Sequence, residues 1–199
     1  MRKRFPSEKE EYFLGALADS HLDKERNELQ IYQKNVGWLQ MMNALLFEIF
    51  GLKGRIYKRD VYWLRKRNKN MMKRILELQT LPISDGKCFV AGLFDAEGSV
   101  YTSTSSKIPV LDITQCERGL ESLHVSQRVL SNVGIMSHLN GPYQHKYGKI
   151  PQYHLRIYGK RFSQRFLELI PIKHVEKRNK LSRLLEKAWT PHSDSLKVA

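Results

Sequence analysis

The sequence predicts an α+β fold in which one αββαββα unit occurs twice, each copy building an antiparallel sheet. Two observations predict it. The order helix, strand, helix, hairpin, helix runs through the first half and returns in the second, and three anchors coincide when the halves are aligned. Gly15 matches Gly92, Gln33 matches Gln115 at a strand end, and "RILELQTLPIS" matches "RFLELIPIK". The expected boundaries are 1–84 for the first repeat, 85–190 for the second and 191–199 for a polar, frayed tail.

In the first half, Tyr12, Phe13, Leu14, Ala16 and Leu17 surround a helical surface over 11–18. Leu29 and Ile31 then share one face of a strand over 27–34, and helical spacing over 35–51 ends at Gly51, a C-cap. Residues 54–68 read as a hairpin turning near Asp60, and 68–82 as a short helix closed by Pro82. The second half follows the same plan. A helix over 86–100 precedes a strand over 107–116 and a helix over 119–135, then a hairpin from "SHLNGPY" and "QYHLRIYGK" and a closing helix over 161–171. The first strand pair of each half is resolved only in part, and the strands are expected to carry basic residues on one face.

The 199 residues, 41% of them hydrophobic, suffice for a sizeable core. Lys and Arg number 34 against 20 Asp and Glu, a net charge of +14, and this excess points to a polyanionic partner, nucleic acid foremost. Cys88 and Cys116 stand far apart with no metal-ligand spacing, which argues against a zinc module or a disulfide framework. The N-terminus lacks the apolar core of a signal peptide and no run approaches a membrane span, so the expectation is an intracellular protein, cytoplasmic or in the organelle whose genome encodes it, with no membrane partner.

The segment "FVAGLFDAEGSV" places Asp95 and Glu97 at the end of an otherwise apolar helix. Carboxylates there face the negative end of the helix macrodipole, so a compensating cation is expected, and oxygen ligands suit Mg²⁺. Ala91 and Gly92 form a small-residue face, and Gly15 and Ala16 form another in "FLGALA". If these helices pack side by side in parallel, position 97 comes near position 20, where acids could hold metal at a phosphodiester for in-line phosphoryl transfer.

"AGLFDAEGSV" resembles the LAGLIDADG motif of homing endonucleases, with the motif acid at Glu97 and its glycine at Gly98; "LGALADSHL" resembles a degenerate first copy. The resemblance implies the homing endonuclease fold: a pseudo-two-fold monomer whose sheets form a DNA-binding saddle over a double-stranded target, cutting both strands with Mg²⁺ across the minor groove and leaving short 3′ overhangs. It makes Glu97, Ser20, Gln33, Gln115, Lys87 and Lys173 the catalytic candidates, with Lys177 a third lysine in contention. Gln33 and Gln115 would organise water, and Glu97, Ala96, Asp19 and Ser20 are the metal-site candidates. Asp95 is assigned foremost to supporting the helix interface.

Aligning Gly15 with Gly92 sets Ser20, which brings no negative charge, opposite Glu97. Asp19 falls one position early, rotated by about 100° on an α-helix. Either the chain is impaired in cleavage while still binding DNA, the favoured reading, or a local distortion of the helix end delivers Asp19.

For DNA contact the candidates are Arg55, Lys58, Arg59, Arg65, Arg67, Lys146, Lys149 and Arg156. In "KRDVYWLRKRNKNMMKR", Tyr62 and Leu64 alternate with bases, which suits strands with one packed and one groove-reading face. His138, His145, His154 and His174 lack ligand spacing, and Tyr143, Tyr147, Tyr153 and Tyr158 read as hairpin packing. The alternative functions are an RNA maturase acting on host intron RNA and a transcription regulator. No splicing-type N-terminal Cys or Ser is present, so a free-standing protein is expected and not an intein.

Overall fold

The computed structural model describes residues 4–144 and 150–187. Helix α1 (Glu8–Ala16) starts with a capping box: Ser7 accepts from the Glu10 N–H while the Glu10 carboxylate accepts from the Ser7 N–H at 2.9 Å. The helix therefore begins ahead of the expected 11–18 span. It gives way to a 3₁₀ turn over Leu17–Asp19, then to strands β1 (Ser20–Asp23) and β2 (Glu28–Gln33). Helix α2 (Val36–Phe50) is capped by Asn35, whose side chain accepts from the Trp38 N–H at 2.8 Å, and ends at Gly51 in the left-handed region expected of a C-cap. Strands β3 (Arg55–Lys58) and β4 (Tyr62–Arg67) and helix α3 (Lys69–Gln79) complete the first half.

The second half runs through α4 (Lys87–Glu97), β5 (Gly98–Thr102), β6 (Pro109–Cys116), α5 (Leu120–Asn132), β7 (His138–Tyr143), β8 (Gln152–Tyr158) and α6 (Lys160–Leu169). A seventh helix, α7 (Val175–Lys187), follows, buries Leu181 and Leu185, and has no counterpart in the first half or in the expected element order. The sheets have orders β1-β2-β4-β3 and β5-β6-β8-β7, the same antiparallel topology twice. Strands β1 and β5 are the members the sequence left unresolved; Gly98 to Val100, expected as helix, open β5. Both strands are short, four and five residues, too few to display alternation.

Leu29, Ile31 and Leu64 of the first sheet and Leu111, Ile113 and Leu155 of the second face one continuous core, which also takes in Phe13, Phe94 and Phe166. Through it run α1 and α4, side by side in the same direction. A Cβ on Gly15 would meet the Phe89 carbonyl oxygen at 2.0 Å and the Leu93 nitrogen at 2.8 Å; one on Gly92 would meet the Tyr12 oxygen at 2.0 Å and the Ala16 nitrogen at 2.8 Å. Under the alignment of Gly15 with Gly92 these partners are each other's counterparts, so the crossing is isologous within one chain. Among the described residues no helix is long and apolar enough to cross a membrane. Tail residues 191–199 lie outside the described residues, as do His145 and Tyr147.

Candidate active site

Each motif helix delivers its last residue to the edge of its own sheet, and the two halves do so differently. Helix α4 ends at Glu97, and Gly98 turns directly into β5, with no room for a Cβ against the Phe94 ring and carbonyl. Helix α1 stops at Ala16 and continues as the 3₁₀ turn. In the sheets, Ser20 pairs with Ile31 as Gly98 pairs with Ile113. Counted from the strands, then, Ser20 is the counterpart of Gly98 and Asp19 that of Glu97.

The first half is one residue shorter between the crossing glycine and the sheet. Three residues of 3₁₀ helix rise about 6 Å, as far as four of α-helix, so the turn makes up the missing length. This corrects the expectation that Ser20 occupies the motif acid's place. The Ser20 backbone is already extended, and its hydroxyl donates to the Leu17 carbonyl at 2.5 Å, closing the turn. The change from α to 3₁₀ winding is a local distortion of the helix end, the expected alternative, and it brings the backbone of Asp19 to the register position of Glu97.

Glu97 is half-buried. Burial pushes its carboxyl above the ordinary range, and Lys177 and the Gln115 amide offset part of that rise by favouring the ionised form. From the other half, the Gln33 amide donates to the Ala96 carbonyl at 3.2 Å, so each strand-end glutamine reaches the end of α4. The Lys177 ammonium donates to the carbonyls of Phe94, Asp95 and Ala96 at 2.9, 2.7 and 3.3 Å. It caps the negative end of the dipole, a role the sequence reading gave to a metal alone. The opposite end is matched by Glu11 of α1, whose carboxylate accepts from the N–H groups of Ser84 and Gly86 at 2.6 and 3.1 Å.

Of the three lysine candidates, Lys177 is thus the one at the site. Lys87 opens α4 and pairs with Asp85 at 2.9 Å, about 15 Å along the helix from Glu97, so its expected catalytic place is corrected. The Lys173 ammonium sits 4.7 Å over the Tyr12 ring. The Ala96 carbonyl, expected among the metal ligands, already accepts from both Gln33 and Lys177, which engages its two lone pairs.

Asp95 is fully buried and belongs to the interface. Its Oδ2 accepts from the Tyr12 hydroxyl at 2.6 Å and from the N–H groups of Lys173 and His174 at 2.7 and 3.0 Å, while the Trp38 indole N–H donates to Tyr12 Oη at 3.0 Å. One carboxylate ties α1, α4 and the segment leading into α7, with α2 attached through Tyr12. Burial raises its pKa, and Oδ1 has no hydrogen-bond partner. His174, buried and stacked on Trp38 at 6.3 Å, also joins the halves.

The outer faces of both sheets are basic and built around a buried acid. On the first, Arg55 lies opposite Arg65. Glu28, 1% exposed, accepts from Arg65 Nε and Nη2 at 2.7 Å each and from Arg67 at 3.1 Å. On the second, Asp112 accepts from Arg156 at 2.9 Å and lies 3.0 Å from His154 Nδ1. Lys58 is displaced from this face by strand alternation, with its ammonium 5.5 Å over Tyr62, and Arg59 lies in the β3–β4 turn. Lys146 and Lys149 lie outside the described residues.

Among the described residues no cluster of three His, Cys, Asp or Glu could enclose a metal. The Glu97 carboxylate at the end of α4 is a hard oxygen donor, which fits a cation such as Mg²⁺ that takes its remaining ligands from water and phosphate.

A LAGLIDADG-like domain model matches residues 87–171. The homing endonuclease I-DmoI in complex with DNA and Ca is similar in fold, with TM-score 0.62 and 21% identity over 88% of this chain and 97% of that one. Mesophilic variants of I-DmoI are 24% identical over 82% of this chain and 90% of theirs, with TM-score 0.59. A variant of I-SmaMI is 10% identical over 94% and 92%, with TM-score 0.59. No curated protein matches the sequence. Residues 87–171 thus match a LAGLIDADG-like domain, and the chain as a whole shares the fold of the homing endonuclease I-DmoI.

Proposed function

We propose that the chain is a single-chain, site-specific DNA endonuclease that cuts both strands of a duplex with Mg²⁺. The observation that supports this reading is one of backbone register: the chain enters each sheet directly after an acidic residue, Asp19 in the first half and Glu97 in the second, and both sheets have basic outer faces. Mg²⁺ would neutralise the phosphate and stabilise the attacking and leaving oxygens of an in-line displacement. The chain's own groups do the rest. Arg55, Arg65, Arg67 and Arg156 bind and orient the duplex, Glu97 and Asp19 supply anionic oxygens, and Gln33 and Gln115 hold the end of α4 and the water beside it. With an acid in each half, impaired cleavage is no longer the favoured outcome.

The test is Mg²⁺-dependent cleavage of a duplex selected from a random library. Glu97→Gln and Asp19→Asn should each abolish double-strand cutting while leaving binding intact, and Ser20→Ala should still cut. Affinity should fall steeply with salt, as phosphate neutralisation requires. Cutting by Asp19→Asn at the wild-type rate would remove Asp19 from the site, and selection of intron RNA over duplex would replace the nuclease reading with a maturase.

A further inference from the structure

The two outer sheet faces match in topology but differ in chemistry. Anchored on the equivalent rows that contain Arg65 and Arg156, the adjoining row of the first sheet runs Tyr57, Trp63, Tyr32 across three strands. The same row of the second sheet runs Asn140, His154, Thr114. One face thus carries an aromatic ridge where the other carries hydrogen-bonding groups.

The ridge is ordered. Tyr57 and Trp63 stack at 5.2 Å and 26°, Tyr32 and Trp63 at 6.3 Å and 28°, and the Arg59 guanidinium lies 5.1 Å from the Trp63 ring. Strands β3 and β2 flank β4, so the two tyrosines cover opposite faces of Trp63. Tyr32 and Tyr57 remain 40% and 38% exposed. Stacking on unpaired bases requires open ring faces, and Trp63, between the two tyrosines, has none to offer. Ring edges remain, framed by Arg55, Arg65 and Arg59.

The apolar feature that the floor of a duplex major groove offers is the thymine C5 methyl group. We infer that the first half recognises its half-site through thymine methyl groups packed against Tyr57, Trp63 and Tyr32, whereas the second half reads its own through hydrogen bonds from Asn140, His154 and Thr114. The inference rests on the duplex-binding reading above and adds the chemical character of each half-site. A target of this chain is then asymmetric, with its thymines concentrated under the first sheet.

The experiment uses the full chain, without divalent cation, on duplexes selected from a random library, with thymine replaced by deoxyuridine in one half-site at a time. Uracil keeps the pairing and the O4 acceptor and removes only the methyl. Affinity should fall roughly four-fold per methyl in one half-site, the burial value of a methyl group, and stay constant in the other. Trp63→Ala should erase that sensitivity, and Tyr57→Ser, which leaves Trp63 in place, should reduce it. Deoxyuridine tolerated in both half-sites, or sensitivity that persists in both variants, overturns the inference while duplex binding stands. Preference for single strands over any duplex, or failure to select a duplex at all, overturns both readings.

Discussion

The Lys177 ammonium lies 2.7 Å from the main-chain oxygen of Asp95 and caps the helix whose last residue is Glu97. It joins α7, outside the repeated unit, to the C-terminal end of the second motif helix. Burial raises the Glu97 pKa and Lys177 opposes that rise, so Lys177→Met should raise it further. Carboxylate ionisation then needs higher pH. The acid limb of the cleavage profile should move upward, with about 1–2 kcal/mol of stability lost from the uncapped helix end. Lys177→Arg, which keeps the charge, should restore most of the profile; an unmoved limb in Lys177→Met would make the lysine purely structural.

At the crossing of the motif helices, Gly15→Ala and Gly92→Ala each drive a methyl into a carbonyl oxygen of the facing backbone. The contact is with main chain, not a yielding side chain. Each variant should lose about 2–3 kcal/mol or more, read from the midpoint of denaturant unfolding. Both alanines act on one crossing, so the double variant should lose less than the sum.

Much of this was legible in the sequence because the repeat is written in residues with few substitutes. Gly15 and Gly92 are required where two backbones meet, and Gln33 and Gln115 close equivalent strands, so element order, helix pairing and Glu97 could be read directly. Asp19 is legible only as an alternative that needs a distorted helix end, because the turn from α to 3₁₀ winding is a response to the position of β1 and leaves no local mark in "LGALADSHL". Lys177 is not distinguishable from Lys87 and Lys173 in the sequence because its cap depends on how α7 docks, and α7 has no counterpart in the repeated element order. The capping box at Ser7 and Glu10 was present in the sequence and would have located the start of α1.

Asp95 should act as an interface residue, separable from the chemistry. Asp95→Ala leaves the Tyr12 hydroxyl and two N–H groups buried without their acceptor, a loss of about 3–5 kcal/mol. Asp95→Asn keeps one acceptor oxygen and should lose far less. Because the folded pKa is raised, this group's contribution to stability is full below the unfolded value near 3.8 and is lost as pH rises through the folded value. Asp95→Asn removes that fall, so stability measured from acid to neutral pH should be flatter in the variant.

Glu28 presents the opposite sign. The Arg65 guanidinium, foremost among its partners, holds its carboxyl at about 2, so its contribution is present above the unfolded value of about 4.5 and disappears as pH falls through 2. Glu28→Gln should therefore lose about 1 kcal/mol at neutral pH, a modest figure because Arg65 and Arg67 are 41% and 59% exposed and screened by solvent. The acid-side loss should vanish with it. On DNA the same change releases two guanidiniums from a fixed geometry and removes a negative charge from a phosphate-facing surface. Random duplex should be bound more tightly and the selected target less preferentially, a lower specificity ratio in competition titrations. An unchanged ratio would mean that Arg65 and Arg67 contact phosphate alone.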